Sequence, residues 1–221
     1  MRDRLTSIGI GALGLALAAA GPSDARVIVT NLSDTVAGSG GIYGSGPPQE
    51  YAQEFTTGSK RVELGAVTAA LGDASGSFAA SAELVSNHDG LPGSHVLTSF
   101  TVPSIGTSFK DLTFDPKSTV TLAADTNYWF VLSATGTGSF RWDYTSTLKV
   151  DLPNYASSSN SGASWKIGSP AGPFLIRVDS AVSAGAASVV PELSTWTMLA
   201  LGFAALGFAS YRRAGVSTLA S

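Results

Sequence analysis

The sequence predicts an all-β fold: one antiparallel β-sandwich, jelly-roll-like, flanked by an N-terminal signal peptide and a C-terminal transmembrane helix. Three observations predict it. Short segments alternate apolar and polar residues with a period of two, the signature of a strand covered on one face. Turn formers recur between those segments, and helical periodicity is almost absent. An apolar run stands near each end of a chain of 221 residues whose middle is polar.

The first element is "MRDRLTSIGIGALGLALAAAGPSDAR". Arg2 and Arg4 precede an apolar run from Ile8 to Ala20, then Pro22 and small residues, which is the order of a secretory signal peptide. Its thirteen apolar-run residues fall short of the ~20 needed to span a bilayer. Ser23 and Ala25 satisfy the small-x-small rule, so cleavage is expected after Ala25, with Ala20 as the alternative, and residues 1–25 are assigned to the signal.

The body follows, residues 26–179. "SFAASAELV" puts Phe78, Ala80, Ala82 and Leu84 on one face; "HVLTSFTV" does the same for Val96, Thr98, Phe100 and Val102, and "FLIRV" for Phe174, Ile176 and Val178. "NYWFVLSA" is apolar on both faces and suits a central strand. Phe78, Leu84, Phe100, Phe114, Trp129, Phe130, Val131 and Ile176 are the expected core. Turns are expected at Gly72-Asp73, in "HDGLPGS", at Pro103, Pro116 and Asp125, and in "TGTGS". About eight to ten strands at this spacing make a sandwich, and with no internal repeat a propeller or β-helix is not expected.

Residues 180–190, "SAVSAGAASVV", are too poor in large apolar groups to bury themselves and read as a linker. Pro191 and Glu192 then open the last element. From Leu193 to Tyr211 nineteen residues carry no charge, roughly 28 Å as a helix against a hydrocarbon core of about 30 Å. Arg212 and Arg213 stop it, and positive flanks stay cytoplasmic. The signal peptide's arginines are held on that same side, so the body is expected across the membrane, with residues 214–221 as a cytoplasmic tail.

Composition narrows the function classes. The chain carries a net charge of -3 and only 13 % charged residues, so no footprint for nucleic acid is present. The absence of Cys rules out disulfides, thiolate zinc sites and a cysteine nucleophile. His88 and His95 flank the "DGLPG" turn at a separation without metal-site logic. Glu50 and Glu54 are expected as solvated carboxylates rather than a glycosidase pair, and "GSGGIYGSGPP" (Gly38 to Pro48) as a flexible loop. No catalytic residue, metal ligand or cofactor is assigned. A structural Ca²⁺ would have only Asp89, Asp143 or Asn127 to draw on. Aromatic residues are the better lead: Tyr144, Tyr155 and Trp165 are candidates for stacking on sugar rings, with core packing as the competing use.

The tail resembles the PEP-CTERM sorting signal of Gram-negative bacteria that make exopolysaccharide. The matching parts are Pro191-Glu192, the apolar "STWTMLALGFAALGFASY", and Arg212-Arg213; Leu193 stands where the family has a second proline. That resemblance implies recognition by an exosortase, a membrane-embedded cysteine transpeptidase or protease. "AQEFTTGS", "ELVSNHDGLPGS", "LTFDPKSTVTLAADTNYWFVLSA" and "FLIRV" resemble the choice-of-anchor domain, type R, for which no activity is established. The resulting expectation is an exported, C-terminally sorted surface or extracellular-matrix protein acting as a structural or adhesive module, not an enzyme. It would pass through the inner membrane as a transient, inserted precursor with a periplasmic body before reaching the cell surface or medium. The alternative is a carbohydrate-binding module for exopolysaccharide.

Overall fold

The computed structural model describes residues 25–46, 48–168 and 172–181, all within one compact unit, Asp24–Ser183. The expected signal peptide up to Asp24, the linker beyond Ala181 and the tail with Pro191, Glu192, Arg212 and Arg213 lie outside the described residues. Among the described residues there is no helix. The strands are β1 (Val27–Thr30), β2 (Val36–Tyr43), β3 (Glu50–Thr56), β4 (Val62–Ser75), β5 (Phe78–His88), β6 (Leu91–Thr101), β7 (Lys110–Pro116), β8 (Thr121–Leu122), β9 (Asn127–Gly136), β10 (Ser139–Thr145), β11 (Tyr155–Ser158), β12 (Lys166–Ile167) and β13 (Ile176–Ser180).

Every pairing between these strands is antiparallel. The order runs β1-β13-β4-β7-β6-β5-β9-β3-β11-β12, with β10 joined to β2 and β4, and β8 to β4. Side chains from β4, β7, β10 and β13 meet those from β3, β5 and β9 in one buried cluster. Phe130 sits at its centre, edge-on to Phe100 at 5.2 Å, Phe114 at 5.4 Å and Trp142 at 5.9 Å. Each such ring, moved from water to this interior, contributes about 1.5–3 kcal/mol before the entropy of ordering it is set against that gain.

The central strand explains its own composition. Tyr128, Phe130 and Leu132 of β9 join the large cluster, while Trp129 and Val131 point the other way, into a smaller one with Ala52, Val85 and Ala156. The expected core residues are all buried except Phe78, which is half-buried with its ring 5.4 Å from Phe140.

Five local expectations are corrected. Val96 does not share a face with Thr98 and Phe100: the register slips between Leu84↔Thr98 and Val85↔Val96, a bulge at Leu97, so Val96 turns outward and is 45 % exposed. Gly72-Asp73 is no turn but an irregularity inside the long β4, with Asp73 at φ 52°. The turn of "HDGLPGS" is only Asp89-Gly90, both at positive φ, and Leu91 already belongs to β6. Gly38 to Tyr43 is strand rather than loop. Ser180, expected to open the linker, closes β13, and the last described residue, Ala181, still donates its N–H to the Glu63 carbonyl at 2.8 Å.

Candidate functional site

The glycines of β2 exist where they do because tyrosine rings lie on them. β2 pairs with β10 so that Gly38 stands opposite Tyr144 and Gly40 opposite Trp142. A Cβ at Gly38 would run into the Tyr144 hydroxyl, and one at Gly40 would come within 2.9 Å of Tyr51 and 3.0 Å of Phe174. Tyr51 enters from β3 and Tyr155 from β11, where the ladder sets Tyr155 opposite Gln53. All three tyrosines converge on the buried ring of Phe174: Tyr51 at 4.9 Å, Tyr155 at 5.4 Å and Tyr144 at 6.2 Å, the last two edge-on. Tyr51, Tyr144 and Tyr155 remain half-buried, so the patch reaches solvent.

Burial, with neighbouring tyrosines adding to it, pushes the Tyr51 and Tyr155 phenols above their ordinary value; Arg141 pulls Tyr51 partly back. Both hydroxyls are therefore protonated at physiological pH and able to donate as well as accept. Of the aromatic residues singled out from sequence, Tyr144 and Tyr155 come together and Trp165 does not. Tyr51 was missed, although its place two residues before Gln53 and four before Phe55 put it on an apolar strand face.

Trp165 belongs to the other side of β3 and β9, packed half-buried on the small cluster of Ala52, Val85, Trp129, Val131 and Ala156. The connection that carries it is tied by Asn160, whose Oδ1 accepts from Ser158 Oγ at 2.8 Å and Ser164 N at 3.0 Å, while Asn160 Nδ2 donates to Ser164 Oγ at 2.8 Å.

Glu50 and Glu54 face the same side of β3 and are not solvated as expected. Glu54 is 1 % exposed, and both its oxygens are taken, by Asn127 Nδ2 and Asn154 Nδ2 at 2.7 Å each. Glu50 is half-buried near Glu83. Burial is the leading cause raising both carboxyls, opposed at Glu54 by its two amide donors and reinforced at Glu50 by Glu83. Asp143 is raised in the same way, with Arg141 opposing.

These shifts fix the sign of a pH dependence. A carboxyl that holds its proton more tightly folded than unfolded stabilises the fold below the ordinary carboxylate range, and loses that contribution as pH climbs through the raised value. The body should thus melt at a higher temperature at the bottom of the ordinary carboxylate range, near pH 4, than near pH 8, and Glu54→Gln should flatten the difference. Melting curves that fall as the pH is lowered over that interval would contradict the assignment.

His88 and His95 are both exposed, the first 3.7 Å from its neighbour Asp89. Among the described residues no group of three or more His, Asp or Glu side chains is placed to hold a metal ion. Asp89 lies at the β5–β6 turn, Asp143 on β10, and Asn127 is engaged with Glu54 and Thr56. What the fold and the site define is an all-β antiparallel body with a half-exposed tyrosine patch. Compared with models of known protein families the chain finds no match, and no curated protein matches it.

Proposed function

We propose that this chain is an exported, C-terminally sorted protein of the cell surface or extracellular matrix, whose jelly-roll-like β-sandwich is a structural or adhesive module. The observation that carries the reading is the order of the sequence: a signal-peptide pattern, a strand-rich body, a small-residue linker, then Pro191-Glu192, an apolar run and Arg212-Arg213. The fold supports it at the point where a tether must leave. Arg26 and Ser180 exchange hydrogen bonds, Arg26 N to Ser180 Oγ at 3.0 Å and Ser180 N to the Arg26 carbonyl at 2.8 Å. The two ends of the body thus lie side by side on the β1–β13 edge.

In this reading an exosortase in the inner membrane is the processing partner, and the module acts through its surface without a cofactor. A host with an exosortase should convert the precursor to a shorter form, and a host without it should retain the precursor. Glu192→Ala should leave the precursor inserted and unprocessed, because the apolar run is untouched. Equal precursor levels in both hosts, with the body held permanently at the membrane, would make the tail an ordinary anchor.

A further inference from the structure

We propose that the tyrosine patch is a binding site for the pyranose rings of a neutral polysaccharide. It goes beyond the sorting reading and does not rest on it, since binding in solution needs no exosortase.

Three properties of the patch point to that ligand. The rings of Tyr51, Tyr144 and Tyr155 share one buried support, Phe174, so their accessible parts belong to a single surface. Tyr144 lies against Gly38 and Tyr51 against Gly40, where the missing side chains leave room for the rings, and all three tyrosines nonetheless stay half-buried rather than closed into the core. The hydroxyls are also uncommitted. Tyr128, buried elsewhere, uses its hydroxyl to accept the Ala123 N–H at 2.9 Å. Those of Tyr51, Tyr144 and Tyr155 take no hydrogen bond from any described residue, and none is a fully buried orphan, so they open to solvent.

A sugar ring offers an apolar C–H face to an aromatic ring and a rim of hydroxyls that donate and accept. Tyrosine hydroxyls do both, which matches the rim. A proline-rich peptide, the other ligand that favours aromatic surfaces, presents carbonyl acceptors and no main-chain donors at its prolines, leaving half of that capacity unused. The three phenols are neutral, and Arg141, the cation that acts on Tyr51, already lies 3.7 Å from Asp73, so a neutral chain fits better than a charged one.

The test uses the full chain with ¹³C-labelled tyrosine rings, extracted in a detergent that carries no sugar. The probes are hydroxyethylcellulose, galactomannan and a polyproline peptide. A neutral polysaccharide should shift the ring signals of Tyr51, Tyr144 and Tyr155 and leave that of Tyr128 in place. In affinity electrophoresis the same polymer should retard the protein, and Tyr51→Ala or Tyr155→Ala should weaken retardation about tenfold, the effect of ~1.4 kcal/mol. Tyr144→Phe, which keeps the ring, should fold as the parent does and bind less weakly than Tyr144→Ala. Trp165→Ala should bind as the parent does. No shift with either polysaccharide, shifts with polyproline alone, or binding lost in Trp165→Ala but kept in the tyrosine variants would each overturn the site.

Discussion

Trp142→Ala is expected to destabilise the body by about 4–6 kcal/mol, the largest effect of any single truncation in the core. Two losses combine. The indole is fully buried, stacked on Phe174 at 4.5 Å and edge-on to Phe130 at 5.9 Å, so its removal leaves a cavity at the junction of two aromatic groups. A large-to-small change at such a site costs about 3–5 kcal/mol. Its Nε1–H also donates to the Leu175 carbonyl at 3.0 Å; that carbonyl keeps the Ala70 N–H at 3.3 Å as a second donor, so the lost bond adds roughly 0.5–1.5 kcal/mol. Set against a typical stability of about 5–15 kcal/mol, that takes a large share of the total. Urea unfolding should show the largest loss for Trp142→Ala, with Trp142→Phe intermediate between it and the parent. A cost under about 2 kcal/mol for the alanine variant would mean that the junction collapses around the hole.

How far this core was legible in the sequence depends on what each residue's neighbours in the chain reveal. The segment "NYWFVLSA" declares a central strand because both of its faces are apolar, and β9 indeed lies between β5 and β3. Val96 misled because strand alternation assumes an unbroken register. The bulge at Leu97 is a property of the β5–β6 pair, invisible in either strand alone.

The glycines from 38 to 46 read as loop because a glycine's use is set by what lies against it. Tyr144 and Tyr51, which occupy the space beside Gly38 and Gly40, come from strands about 100 and about 10 residues away. Glu54 was expected in water because carboxylates seldom tolerate burial. Its two amide donors, Asn127 and Asn154, lie 73 and 100 residues along the chain. Gln53 did carry a usable signal. An amide between Tyr51 and Phe55 on one apolar face must find partners inside, and its natural partners there are main-chain groups.

That amide is the basis of the second large effect, and it bears on the tyrosine patch as well as on stability. Gln53 is fully buried; its Oε1 accepts the Phe174 N–H at 2.8 Å, and its Nε2 donates to the Glu54 carbonyl at 2.9 Å and the Asn154 carbonyl at 2.8 Å. Asn31, equally buried, holds the next stretch, donating to the Phe174 carbonyl at 2.9 Å and accepting the Ile176 N–H at 2.7 Å. Between them the two side chains fix the backbone on which Phe174 stands, and Phe174 is the support for Tyr51, Tyr144 and Tyr155. Gln53→Ala should therefore cost about 2–4 kcal/mol, since the Phe174 N–H and the Glu54 carbonyl lose the amide in a buried site while the Asn154 carbonyl keeps the Glu54 N–H at 3.0 Å. Gln53→Glu should cost at least as much despite its shape, because a carboxylate oxygen cannot donate to the two carbonyls that Nε2 serves. The double variant Asn31→Ala/Gln53→Ala should lose less than the sum of the single losses, because once either clamp is gone the Phe174 backbone is already loosened for the other. Urea unfolding of the four proteins measures that coupling directly. Strict additivity would show that the two amides hold independent parts of the fold and that the support of the tyrosine patch is not a single unit.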